Sequence, residues 1–307
     1  MTTLALTPEK DFAGRQSIGQ RSGQEDSYAF SSIPAKPGGA TGLLLIVADG
    51  MGGHAAGGRA SETAVRHFVG AFHRGGETMG ERFGRGLDTA NDALAAAINA
   101  DPDHLEGMGT TLLALAITPL GLEWLSVGDS PLYLFRKGDL RRMNADHSFR
   151  PVLQDMVARN ELTPDQAANS SLRNRLRSAL VGAEIPLVDV SPRPQPLRAG
   201  DVILAGSDGL QTLSDEAIAH VLAETSHLDA GAQTERLIQA VLEAGVPRQD
   251  NITATILRPA EDWLLAAFSF APPKTAVKND DAANTTQRLV PRIVRPSTED
   301  APTEPAS

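Results

Sequence analysis

The hydrophobic pattern divides the chain into short, nearly unbroken apolar runs and longer amphipathic ones. Runs of Val, Ile and Leu bounded by Gly, Pro or Asp predict strands near 43–48, 110–117, 121–127, 131–136, 139–143, 187–190, 201–206 and 251–258. Apolar residues at three- and four-residue spacing predict helices over 59–73, 87–99, 214–224 and 230–244, with Ser214 as an N-cap. Strands neighbour strands as well as helices, so the order predicts an α+β layered fold with mixed or antiparallel sheets, not a strict β-α-β repeat. The segment 144–186 breaks this rhythm with short helical pieces, several arginines and a Thr163-Pro164-Asp165 helix start. It reads as an insertion between strands and a candidate lid.

Composition sets the bounds. With 307 residues, 41% hydrophobic and 21% charged, the chain buries a core as one large domain or two small ones. After Phe270 the sequence carries six prolines, five threonines and no aromatic residue in 37 positions, which predicts a disordered tail over 271–307. No apolar run is long enough to span a bilayer, and the first residues lack the basic and apolar parts of a signal peptide. The expected compartment is the cytoplasm, with no membrane partner. Zero cysteines exclude disulfides, Cys-ligated zinc and thiolate nucleophiles. The net charge of −10 argues against nucleic acid, whose phosphates need a basic surface. The tail holds five bases and five acids, so the acidic excess lies in the body.

Four apolar runs break at an aspartate: Asp49 in LLLIVADG, Asp129 in LEWLSVGDS, Asp208 in DVILAGSDG and, at the start of its run, Asp250 in DNITATIL. A carboxylate at the end of a buried strand is costly unless a positive charge meets it, and four of them point to a shared cation. All candidate ligands are hard oxygens, which favours magnesium or manganese over zinc or copper and points to phosphate chemistry. Without a thiolate, water must attack the phosphorus.

Two other readings of the glycine-rich and serine turns fail. Gly50 to Ala55 matches a loose dinucleotide fingerprint, but no second strand ends in an acid at the spacing such a site needs. Ser207 lacks the glycine two residues earlier that a nucleophile elbow requires, since Ala205 stands there. Near the N-terminus, RSGQED adds Arg21, Glu25 and Asp26. On a strand Arg21 and Glu25 share a face opposite Asp26, and the arginine fork suits a pair of phosphate oxygens.

Taken in order, Arg21 with Glu25-Asp26, Asp49 to His54, Gly107 to Thr111, Gly128-Asp129-Ser130, Asp146-His147-Ser148, Ser207 to Leu210 and Asp250-Asn251 resemble the bacterial metal-dependent serine/threonine protein phosphatases of type 2C. The likeness runs from about residue 10 to 258. It implies a four-layer α-β-β-α sandwich, two mostly antiparallel sheets flanked by helices, with metals in a cleft at one end. The catalytic domain is then expected over 1–262, with 144–186 as its flap.

The resemblance also implies roles. Asp49 would bridge two Mn2+ or Mg2+ ions, Asp208 and Asp250 would bind one of them, and Glu25 with the Gly50 carbonyl the other. Asp129, with Asp208, would hold a third, weaker ion. Asp26 would sit beside a metal-bound water, and Arg21 would take the substrate phosphate. The implied activity is hydrolysis of phosphoserine and phosphothreonine in proteins by a monomer, with a cognate serine/threonine kinase as the natural counterpart. The alternatives are a silent phosphoprotein-binding scaffold and a small-molecule phosphohydrolase with the same centre. The chain departs from many relatives at Gln24 and Pro131. It also carries Met51 where eukaryotic relatives have a histidine proposed as general acid, which leaves His54 three residues on as a candidate.

Overall fold

The computed structural model describes residues 6–34, 42–52 and 55–265. His54 and the 271–307 tail lie outside the described residues.

The chain opens with β1 (Phe12–Ser17), β2 (Asp26–Ile33) and the ten-residue β3 (Gly42–Met51). Three helices follow: α1 (Ala55–His73), α2 (Met79–Ala100) and the short α3 (Pro102–Leu105). Next come β4 (Gly109–Thr110), β5 (Leu112–Thr118), β6 (Gly121–Val127), β7 (Leu132–Arg136) and β8 (Asp139–Arg142). The inserted segment holds α4 (Arg150–Ala158) and α5 (Pro164–Ala168), the second started by a capping box between Thr163 and Gln166. The described chain ends with β9 (Asp189–Val190), β10 (Val202–Gly206), a 3-10 turn at Asp208–Thr212, α6 (Asp215–Glu224), α7 (Ala230–Glu243), β11 (Ile252–Leu257) and α8 (Glu261–Leu265).

Two sheets form, in the orders β1-β11-β10-β7-β8 and β2-β3-β5-β6-β9, with β4 paired to the end of β3. The pairings among these strands are antiparallel. The unbroken apolar runs have a direct cause: the central strands are covered on both faces, so neither side of the pleat is left for polar residues. On β3, Leu44, Ile46 and Ala48 pack under α1 and α2 against Phe68, Phe72, Phe83 and Leu94. The alternate residues Leu43, Leu45 and Val47 face the opposing sheet, where Leu132, Leu134, Ile203 and Ala205 meet them. The outer face of that sheet carries Leu204 and Ile256 under Ile218 and Leu222 of α6 and Leu237 and Ile238 of α7. Three stacked cores between four layers make the expected α-β-β-α sandwich.

The structure differs from the sequence pattern in places that packing explains. Strands β1 and β2 carry weak apolar signals because both are edge strands with one neighbour each. Helix α2 begins at Met79, behind a capping box between Thr78 and Glu81, where Gly80, Gly84 and Gly86 dilute the apolar spacing. The run expected at 110–117 is two strands interrupted at Thr111, a residue that serves the site described below. Trp263 is 1% exposed in the core between the sheets, so the folded body extends past the domain end expected at 262.

Candidate metal centre

Five carboxylates meet at one end of the sandwich because the strands deliver them there. The register of β2 and β3 sets Asp26 directly across from Asp49. Asp208 opens the turn after β10, Asp250 precedes β11, and Asp129 sits in the turn between β6 and β7. The electrostatics follow from that placement. The Asp49 carboxyl is pushed well above the usual carboxylate range by burial and by the charges of Asp26, Asp208, Asp129 and Asp250. The backbone N–H of Asp208 approaches Asp49 Oδ2 at 3.5 Å.

The neighbouring acids feel the same two causes. Burial raises Asp129, 3% exposed, to about 7, with Asp208 adding to the rise and Arg150 and Arg142 opposing it. Asp26 is raised to about 6 by burial, against hydrogen bonds from Ser207 and Thr253 and with Asp208 and Asp250 pushing the same way as burial. Asp208 is likewise raised by burial and then by Asp250, while Arg150 and Arg21 pull it down. Such a cluster of desolvated like charges is unfavourable by itself, and a divalent cation is the partner that offsets it.

The surrounding side chains orient the acids. Thr111 donates its backbone N–H to the Asp49 carbonyl at 2.9 Å, while its Oγ1 accepts the Asp49 N–H at 2.9 Å and pairs with Ser130 Oγ at 2.7 Å. Thr253 Oγ1 donates to Asp26 Oδ2 at 2.7 Å. Asn251 accepts the Glu25 N–H at 2.7 Å and donates to the carbonyls of Ile18 and Gly23, which anchors the loop that carries Arg21. Arg142 donates to the Asp129 carbonyl at 2.8 Å. His147 is buried, its Nδ1 accepting the Gly128 N–H at 3.2 Å, so its role is to shape that turn.

Glu25 and Gly50 are tied together through the backbone, the Gly50 N–H donating to the Glu25 carbonyl at 3.1 Å. The missing side chain of Gly57 makes the space for the Glu25 carboxylate, since an added Cβ would collide with Glu25 Oε2. A Cβ on Gly50 would in turn strike the Gly57 carbonyl. Gly57→Ala is therefore expected to weaken Mn2+ affinity about tenfold or more, as loss of a supporting contact does at other metal sites, with calorimetric titration as the check. An affinity equal to that of the parent protein would contradict this role.

Arg21 is half-exposed and pairs with Asp250, Nη2 to Oδ2, at 2.5 Å. The expected phosphate-binding group and an expected metal ligand are thus adjacent. Among the described residues, no three acidic or histidine side chains already form a closed ligand cluster. Asp26 is held by Thr253 and Asp250 by Arg21. The donor set itself, carboxylates and a glycine carbonyl without sulfur, fits Mn2+ or Mg2+. Sequence reasoning brought these acids together but missed Thr253 and Arg150. Two threonines, Thr253 and Thr255, in a strand of otherwise apolar residues were the available signal for the first.

Comparison with known proteins agrees with this geometry. The family profile described as Protein phosphatase 2C matches residues 13–244. The serine/threonine protein phosphatase PstP of Mycobacterium tuberculosis is 37% identical over 223 residues, covering 69% of this chain and 40% of the relative. The chain therefore spans less than half of that relative's length. The serine/threonine phosphatase stp of Listeria innocua is 33% identical over 179 residues, covering 57% of this chain and 69% of the relative. Among solved structures, the catalytic domain of PstP in complex with two manganese ions superposes with a TM-score of 0.63 at 33% identity, covering 80% of this chain and 96% of that one.

Proposed function

Because the chain belongs to the protein phosphatase 2C family, we propose that it hydrolyses phosphoserine and phosphothreonine in proteins, with Glu25, Asp49, Asp208, Asp250 and the Gly50 carbonyl holding two Mn2+ or Mg2+ ions. Asp129 with Asp208 is the donor pair for a third. The observation that carries this reading is the convergence of Asp26, Asp49, Asp129, Asp208 and Asp250 from five separate segments on one end of the sandwich. The PstP domain with two manganese ions supports the choice of metal and its number.

Bound divalent cations supply charge neutralisation at the phosphoryl oxygens and a more acidic water. The protein's own groups do the rest. Arg21, exposed beside Asp250, offers its guanidinium fork to the phosphate oxygens of the substrate. Asp26 Oδ2, fixed by Thr253 Oγ1, is the carboxylate that orients the attacking water and receives its proton. No covalent intermediate is needed, in keeping with a chain that has no cysteine. His147 Nδ1 accepts the Gly128 N–H, which commits that histidine to the turn beside Asp129.

The substrates on this reading are the products of a serine/threonine kinase, met by a cytoplasmic monomer; no described helix is long and apolar enough to cross a membrane. The acids expected to bind metal are all retained, which favours the enzyme over a silent scaffold. The test is turnover of an aryl phosphate and of a phosphothreonine peptide with Mn2+ and with excess chelator. Both should be hydrolysed only with the metal, and the peptide should outpace sugar and nucleotide phosphates. A folded protein that turns over nothing under either condition would point to the scaffold, and a preference for nucleotide or sugar phosphates to the small-molecule enzyme.

A further inference from the structure

The inserted segment carries a groove that the metal centre does not use. A cavity of about 300 Å3 opens between α4 and α5, lined by Leu153 and Val157 of the first, Ala167 of the second, and the side chains of Arg150 and Arg173. Two arginines and a set of aliphatic residues thus line one cavity in an otherwise acidic body. The ion pairs seen among the described residues use other arginines. Arg150 gives its N–H groups to neutral oxygens, Asn174 Oδ1 at 3.3 and 3.2 Å and Gln211 Oε1, and Arg173 is exposed.

The groove adjoins the site. Gln211, which Arg150 holds, lies in the same 3-10 turn as Asp208. A chain segment leaving a phosphorylated residue at the metal centre would therefore meet these two cations and the apolar strip beneath them.

We propose that this groove binds the stretch of a phosphoprotein substrate flanking the dephosphorylated residue, and that it selects an Asp or Glu side chain set beside a small aliphatic one. This rests on the phosphatase reading above and adds the chemistry of substrate choice to it. A planar guanidinium fork matches a carboxylate; Arg173, exposed at the groove wall, is placed to take one, and Arg150, held by Asn174 and Gln211, adds its positive charge beside it. Leu153, Val157 and Ala167 offer contact to a short aliphatic neighbour, with the Gln154 amide beside them.

The test uses the full chain with Mn2+ and phosphothreonine peptides that differ only in carrying Glu, Ala or Lys at one flanking position, scanned on both sides. At one position Glu should lower KM about fivefold relative to Lys with kcat unchanged. Arg173→Glu should reverse that preference and Arg173→Ala erase it, each leaving aryl phosphate turnover unchanged. Equal KM values for Glu and Lys peptides throughout the scan, or a preference that survives Arg173→Glu, would overturn the proposal. So would a second phosphothreonine preferred about tenfold over Glu at that position, which would make phosphate the occupant. Should no phosphate ester be hydrolysed at all, the phosphatase reading fails separately. Peptide binding followed by fluorescence anisotropy then still reads the Glu-over-Lys preference, and its absence overturns the groove assignment.

Discussion

Replacing Asp49 by asparagine is expected to leave a folded protein that hydrolyses an aryl phosphate at least about a thousandfold more slowly at any Mn2+ concentration. Asp49 lies at the centre of the acid cluster: Asp26 faces it across the β2–β3 pair, the Asp208 N–H points to its Oδ2, and four other carboxylates raise its proton affinity. An amide of the same shape keeps the packing but provides no negative charge to bind a divalent ion. The same change should raise the metal-free melting temperature at pH 8, because it removes a buried charge that four others repel. Activity and metal-free stability are thus predicted to move in opposite directions. A variant that lost both together would mark Asp49 as structural, and calorimetry beside the turnover assay decides between the two.

The second large effect is on pH dependence. Asp26 and Asp129 have folded-state values of about 6 and about 7 against an ordinary value of 3.8. A carboxyl with a raised folded value binds more protons in the folded than in the unfolded state over the interval between the two, so stability falls as pH rises through it. Without metal, the protein should be most stable near or below pH 4 as far as these groups are concerned. It should lose melting temperature progressively up to about pH 7, by on the order of 10 °C in total. Saturating Mn2+ at pH 8 should reverse that loss, because bound cations replace protons as the counter-charge. Thermal scans from pH 4 to 8, with and without Mn2+, check this directly. A metal-free melting temperature that climbs over the same range would mean that the acids are not mutually repelling.

Much of this arrangement could be read from residue order, for a physical reason. Central strands buried on both faces must be apolar throughout, so an aspartate at the end of one, as at Asp49 and Asp208, stands out against its own strand. The four aspartates were legible on that ground, whereas the Glu25-Asp26 pair took its place from the family resemblance. The edge strands β1 and β2 were not, because a strand with one neighbour needs fewer apolar residues and Phe12, Tyr28 and Phe30 are scattered among serines and glycine. The supporting bonds were also hidden. That Thr111 accepts the Asp49 N–H, or that Arg150 reaches Gln211 from the inserted segment, depends on contacts between residues far apart in the chain. Local sequence carries no trace of such pairings. Trp263 shows the same limit at the domain end, where a single buried indole in the core between the sheets outweighs the polar residues around it.

The claim that underlies all of this is that acids from separate strands jointly hold divalent ions, and calorimetric titration with Mn2+ measures it most directly. The parent protein should bind two ions per chain saturably at pH 8, releasing protons as it does so, and Asp49→Asn should bind neither with comparable affinity. Saturable binding that Asp49→Asn leaves intact, or no binding by the folded parent protein, would contradict the account.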